Sequence, residues 1–455
     1  MSATPDSFIL GVDIGTSKVA AVVARQVRNL GNDTLEIIGI GKAANKDGVT
    51  KGNIRNLTKA KEAIAQAVNE PTSRASINYA NLDALFANVN IGGTLVEARS
   101  ETGSITCKSP GSEVQRNDVK QLFRDVYQTS TTENNEIIHL LPLRFSVGDE
   151  AQIYDPVGHI GLKLSGDFNV ISVKKTAIKQ IKQSLREANS LLQDDNLMVS
   201  PLASAMSVLD DNHKRLGVVM VDIGAGTTDV VIYYDGLLRH LAILPYGGNL
   251  LTSDISEGCY LTIESAEEAK ITLSATNPDE CGLNMLLVVP TADGIPPIEV
   301  VAKNVALIAR ARLREIAALV YAEIKKSGYE QKLRAGIVLT GGTVQIKGIE
   351  GIFKDITKMH VQVGAPKGLE TTALYDQVMR DHSYATALGL VWSNIKALDQ
   401  RVGFDNDLNT PQEEEETDAK PTKLKKTENN WFSFRSLKGT IGGFLNDDIK
   451  GQDTY

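Results

Sequence analysis

Val12-Asp13-Ile14-Gly15-Thr16-Ser17-Lys18 and, much further along, Val221-Asp222-Ile223-Gly224-Ala225-Gly226-Thr227-Thr228-Asp229 are two versions of one string. Each sits between apolar runs of strand length, so each aspartate stands at a strand end and each glycine opens a hairpin. Two homologous α/β halves facing a common cleft are the simplest reading of the duplication. The pair suits a polyphosphate. Phosphates need backbone N–H groups presented without a Cβ in the way, which Gly15, Gly224 and Gly226 permit, and Thr16, Ser17, Thr227 and Thr228 add hydroxyl donors. Asp13 and Asp222 then stand near the phosphates and hold water on Mg²⁺, a cation that prefers oxygen ligands and keeps several of its own waters. Lys18 supplies one compensating positive charge.

Working outward, Phe8–Val12, Lys18–Val27 and Leu35–Ala44 form a first set of β-runs, followed by helical periodicity over Leu57–Val68 and Thr176–Ala188. Leu197–Val199 reads as a short strand before a helix opened by Pro201. The second set is Leu216–Asp222, Thr228–Tyr234 and Leu238–Leu244, followed by a long helix over Val300–Lys326, a strand at Ile337–Leu339 meeting Gly341–Gly342, and a helix at His382–Leu398. Two stretches interrupt this plan: shorter strands around a helix at Gln115–Tyr127, between about residues 85 and 165, and a second unit over Glu257–Pro297. Rival phosphate loops fail. No G-x-x-x-x-G-K-[ST] string exists, and Gly39-Ile40-Gly41 lacks the acidic residue a dinucleotide site needs about 20 residues on, so these are read as strand-end glycines.

The 455 residues carry 48 Lys+Arg against 56 Asp+Glu, a net charge of −8. That balance argues against nucleic acid as a partner, which usually asks for a basic field. Cys107, Cys259 and Cys281 are too few and too scattered for a zinc site or a disulfide framework, and a reducing cytoplasm is expected. No run approaches the roughly 18 apolar residues that span a bilayer, so any membrane contact is expected to be peripheral.

After Asp399 the composition changes. Glu413–Glu416, Asp418 and Lys420–Lys426 cannot build a core and read as a disordered linker over 399–430. Beyond it, Trp431, Phe434, Leu437, Ile441, Phe444 and Leu445 fall within an arc of roughly 140° on a helix, with Arg435 outside it and Lys438 at its rim. This is an interfacial pattern: apolar groups enter the acyl boundary while the cations stay with anionic headgroups. One such tail binds weakly, and several tails on one polymer bind far more strongly.

The paired aspartate-glycine loops, with Val338-Leu339-Thr340-Gly341-Gly342-Thr343 after a strand, resemble the phosphate and adenosine motifs of the actin, sugar-kinase and seventy-kilodalton chaperone superfamily. The resemblance implies an α/β, actin-like (ribonuclease-H-like), duplicated two-lobe fold that binds ATP and Mg²⁺. Ser265-Ala266-Glu267-Glu268-Ala269-Lys270 resembles its E-x-x-K helix step, which implies that Glu267 and Lys270, with Gly341, Gly342 and Thr343, meet the ribose and base. Within the superfamily, Gly217–Asp229, Leu237–His240, Pro245–Asn249, Ser253–Ile255, His139–Pro142 and Tyr384–Leu390 resemble the FtsA family of bacterial cell-division proteins over roughly residues 8–398.

That resemblance implies a first lobe at 1–84 and 166–203, an inserted small α+β subdomain at 85–165, a second lobe at 204–248 and 304–398, and a nucleotide- and partner-binding subdomain at 249–303. It also implies an amphipathic membrane-targeting helix at 431–446. By resemblance the chain self-assembles at the cytoplasmic face of the inner membrane, captures the C-terminal peptide of the tubulin-like protein FtsZ with Arg310 and Arg312, and meets later division proteins through its insertion. Ser200 departs from many relatives, which carry a glutamate beside the attacking water. A serine is no carboxylate base, so ATPase activity is expected to be slow at most. The alternatives are a sugar or metabolite kinase of the same superfamily, and an actin-like pilus-assembly or cell-shape protein.

Overall fold

The computed structural model describes residues 8–29, 32–74, 85–107, 113–189, 192–273, 275–279, 285–289, 297–371 and 375–393. The expected linker and the tail helix bearing Trp431, Phe434, Arg435, Leu437, Lys438, Ile441, Phe444 and Leu445 lie outside the described residues. No helix among those described is long and apolar enough to cross a membrane.

The chain opens with Phe8–Ile14 (β1), Lys18–Asn29 (β2) and Asn32–Ala44 (β3), an antiparallel meander, followed by Leu57–Arg74 (α1) and Leu85–Ile91 (β4). Next come Val96–Thr106 (β5), Arg116–Ser130 (α2), Asn135–Val147 (β6), Glu150–Ile153 (β7) and Lys163–Lys174 (β8), then Lys175–Ala188 (α3), Leu192–Val199 (β9) and Ser200–Val208 (α4). The second half repeats the opening with Val218–Ile223 (β10), Thr228–Tyr234 (β11) and Leu237–Leu244 (β12). Gly248–Cys259 (α5), Ile263–Leu273 (α6), the hairpin Leu286–Val289 (β13) and Ile298–Val301 (β14), and Ala302–Ser327 (α7) follow. Ile337–Thr340 (β15), Ile349–Thr357 (α8), Val361–Val363 (β16) and Ala385–Trp392 (α9) complete the described chain.

The duplication is plain in the sheets. One runs β9-β4-β1-β2-β3 and the other β12-β11-β10-β15-β16, each with its first three strands antiparallel and the next two added parallel to the first. A central strand covered on both faces must be apolar throughout, and β1 and β10 are almost entirely buried. Both strands end at the aspartate-glycine turns, so the sheet topology carries the two loops to corresponding places in the halves.

Three details differ from the sequence reading. Helix α1 runs on to Arg74 and contains Pro71. Gly39 and Gly41 lie inside β3, not at a strand end, because α1 crosses them in contact: a Cβ at Gly41 would lie 1.9 Å from the Ala67 carbonyl oxygen and 2.6 Å from Pro71 Cδ. The insertion begins after β4, because β4 pairs with β1 in the first sheet, and its own sheet is β5-β8-β6-β7. Helix α2 covers that sheet through Val119, Leu122 and Val126, and Phe123 meets Phe168 edge-on at 5.0 Å between ring centres.

Candidate functional site

Both turns close in the same way. The Gly15 N–H donates to the Lys18 carbonyl at 2.9 Å, and the Gly224 N–H donates to the Thr227 carbonyl at 3.0 Å. The two loops meet face to face: a Cβ added at Gly226 would lie 2.5 Å from Thr16 Oγ1 and 3.1 Å from the Lys51 nitrogen. Between them opens a cleft of about 510 Å³, a size suited to a small-molecule ligand.

The cleft is lined by Asp13, Gly15, Thr16, Ser17 and Lys18 from the first turn and by Asp222, Gly224, Gly226 and Thr227 from the second. Glu267, Lys270, Gly341, Gly342 and Thr343 line it as well. Thr228 does not. It begins β11, its side chain is fully buried, and its hydroxyl donates to the Tyr246 carbonyl at 2.7 Å. Strand alternation turns Thr228 inward and brings Asp229 to the cleft wall instead.

At the far end, Lys270 Nζ donates to Glu267 Oε2 at 2.6 Å and to Thr252 Oγ1 at 2.9 Å, so the two α6 residues reach the cleft as an ion pair on one helix face. Thr343 Oγ1 donates to the Gly224 carbonyl at 3.1 Å, tying the second glycine loop to the turn. Gly341 has φ +93, and a Cβ there would lie 2.3 Å from Asp222 Oδ1, so only glycine lets the chain pass this aspartate.

The cleft residues also have partners from outside the two turns. Asn90, at the end of β4, donates from Nδ2 to Asp13 Oδ1 at 2.7 Å and to Ser200 Oγ at 3.1 Å. Ser204 Oγ, on α4, donates to Asp222 Oδ2 at 2.6 Å and shares a 2.9 Å hydrogen bond with Thr386. Lys18 Nζ donates to the carbonyl and hydroxyl of Ser383 at 2.5 and 2.6 Å and lies over the Tyr384 ring. Ser204 stood within a recognisable string. Asn90 and Ser383 gave no local signal.

Burial dominates the electrostatics. It pushes the Asp13 carboxyl up to about 7, against the pull of Lys18 and with help from Asp222. Asp222 is raised by burial, opposed by the Ser204 hydrogen bond and by Lys18. Asp229 is raised well above the carboxylate range, by burial and then by the charge of Asp222. Burial lowers Lys18 to about 8, against the opposing pull of Asp13. Lys18 thus acts on both Asp13 and Asp222, whereas Asp229 Oδ1 is buried with no hydrogen-bond partner among the described residues. An all-oxygen set with an orphaned carboxylate oxygen on Asp229 is chemically suited to a hydrated Mg²⁺.

Arg310 is exposed on α7. Arg312 is engaged within the chain: its guanidinium donates to both oxygens of Asp254, at 2.6 and 2.7 Å, and also pairs with Glu315.

Comparison with known proteins gives a consistent result. The family model described as cell division protein FtsA matches residues 219–389, and that described as the SHS2 domain inserted in FtsA matches residues 93–172, close to the span of the β5–β8 unit. The chain is 31% identical over 390 residues to cell division protein FtsA of Neisseria meningitidis serogroup B, covering 86% of this chain and 90% of that protein. It is 30% identical over 395 residues to the protein of the same name from Pseudomonas aeruginosa, covering 87% and 91%. Among solved structures, the PilM-PilN type IV pilus biogenesis complex superposes with a TM-score of 0.60 at 15% identity, over 85% of this chain and 98% of that chain. At that identity the likeness is one of fold.

Proposed function

The chain belongs to the FtsA family of cell-division proteins, and from that premise we propose that it is an ATP-binding, actin-like scaffold. In this reading it assembles on the inner face of the cytoplasmic membrane and tethers FtsZ filaments there. The observation that carries the reading is the meeting of the Thr16 and Gly226 loops across one cleft. Phosphates between the loops would be met by main-chain N–H groups and by the hydroxyls of Thr16, Ser17 and Thr227, with Glu267 and Lys270 toward the ribose and base. Mg²⁺, when bound, supplies charge neutralisation for the phosphates. Asp13 and Asp222 would hold it through its waters.

Hydrolysis is proposed to be slow. Ser200 lines the cleft where a carboxylate base would be useful and engages Asn90 instead, and a hydroxyl is a poor general base near neutral pH. Attachment is assigned to residues 431–446. Each large apolar side chain there contributes about 1.5–3 kcal/mol if fully buried, while ordering each residue costs roughly 1–2 kcal/mol. One tail is therefore marginal, and attachment is coupled to self-assembly. Capture of the FtsZ peptide falls on exposed Arg310 more than on Arg312, whose charge is already met by Asp254 and Glu315. Recruitment of later division proteins is assigned to the β5–β8 insertion.

Co-pelleting with liposomes and FtsZ tests the reading. FtsZ should pellet with the liposomes only when the chain and ATP are present, and removal of residues 431–455 should abolish this. Recruitment that survives removal of the tail would contradict the anchor.

A further inference from the structure

Asn90 is a buried amide on β4, 6% exposed, and it makes three hydrogen bonds at the floor of the cleft. Its Oδ1 accepts from the Ile14 N–H at 2.6 Å, and its Nδ2 donates to Asp13 Oδ1 at 2.7 Å and to Ser200 Oγ at 3.1 Å. One side chain thus ties the end of β1, the first cleft aspartate and the start of α4 together. An asparagine amide can make about four hydrogen bonds, so three of its positions are committed. An aspartate here would set two carboxylates against each other, and an apolar residue would leave the Ile14 N–H and Asp13 Oδ1 without this partner.

We propose that Asn90 is a positioning residue that fixes the orientation of the Asp13 carboxylate and so sets the affinity of the cleft for the magnesium form of the nucleotide. The inference rests on the nucleotide reading given above. A residue two positions earlier provides a matched comparison. Asn88, 1% exposed on the same strand face, donates to the Leu390 carbonyl at 2.9 Å and accepts from Asn196 Nδ2 at 3.0 Å. If burial and packing alone explained Asn90, the two asparagines would be interchangeable in their effect on the ligand.

The test is ATP binding by calorimetry, with excess Mg²⁺ and again in EDTA, on the full chain. Asn90→Ala should weaken Mg²⁺·ATP about tenfold, the loss expected for one hydrogen bond to a charged group, and change binding in EDTA less than about threefold. Asn90→Leu, which keeps the volume, should do the same. Asn88→Ala should leave the ratio of the two affinities as in the unmodified chain. In an Asp13→Asn background, Asn90→Ala should cost nothing further, because the group it orients is gone. Equal losses with and without Mg²⁺, or an unchanged ratio in both Asn90 variants, would overturn the positioning role. Failure of the unmodified chain to bind ATP under either condition would overturn the nucleotide reading itself, a distinguishable result.

Discussion

Ser204 Oγ donates a 2.6 Å hydrogen bond to Asp222 Oδ2. Helix α4 follows the last strand of the first sheet, and its Ser204 reaches the aspartate near the end of the central strand of the second. Ser204→Ala should therefore act on the ligand although its side chain does not line the cleft. The expected outcome is Mg²⁺·ATP affinity lowered about three- to tenfold, with about 1 kcal/mol of stability lost, the usual range for such a bond. Calorimetry and denaturant unfolding check both.

The buried aspartates give a pH dependence with a definite sign. Asp13 is raised in the fold to about 7 from 3.8. A carboxyl whose folded value lies above its unfolded value favours folding most at acid pH, and that benefit is lost as pH rises toward the folded value. Without nucleotide or Mg²⁺, the chain should lose stability relative to its Asp13→Asn variant between about pH 4 and 7. The difference should be on the order of 4 kcal/mol, at 1.36 kcal/mol for each of the roughly three units between 3.8 and about 7. Buried His139, lowered to about 4 by burial, acts in the opposite direction but equally in both proteins. Thermal melts of the pair across that window check the sign.

Where α1 crosses β3 there is no room for a side chain at Gly41. Gly41→Ala should destabilise the first lobe by about 1–3 kcal/mol or more, as overpacking of a close contact does. Denaturant unfolding should show a lower midpoint.

The Arg312–Asp254 pair should behave as a structural clamp between α7 and α5. A double-mutant cycle with Arg312→Ala and Asp254→Ala should return a coupling of about 1 kcal/mol, because the pair is bidentate and only partly exposed. Arg310→Ala should leave stability within about 0.5 kcal/mol, as expected for a surface change.

The duplicated turn was legible because it is local: aspartate, glycine and hydroxyls lie within nine residues of one another, and strand runs on either side fix their context. Their partners were not legible. Asn90 reaches Asp13 across 77 residues and Lys18 reaches Ser383 across 365, contacts that only the tertiary fold brings about. Thr228 was misassigned because a string does not show which of two adjacent hydroxyls faces inward: counting along the chain from Asp222 puts Thr228 on its face, whereas the hairpin register sets Asp229 opposite Asp222. Gly39 and Gly41 were read as strand-end glycines because a sequence shows a missing Cβ without showing the helix that requires its absence. The insertion's starting point shifted because β4 resembles the insertion's strands locally and is claimed by the first sheet through pairing with β1.

The measurement that bears most directly on the central claim is the stoichiometry and loop dependence of ATP binding by titration calorimetry in Mg²⁺. If the Thr16 and Gly226 loops hold one nucleotide between them, the chain should bind one ATP, and Gly226→Val, which drives a side chain into Thr16 and Lys51, should weaken it at least tenfold while the chain stays folded. No binding by the unmodified chain, two independent sites, or unchanged affinity in a folded Gly226→Val variant would contradict the account.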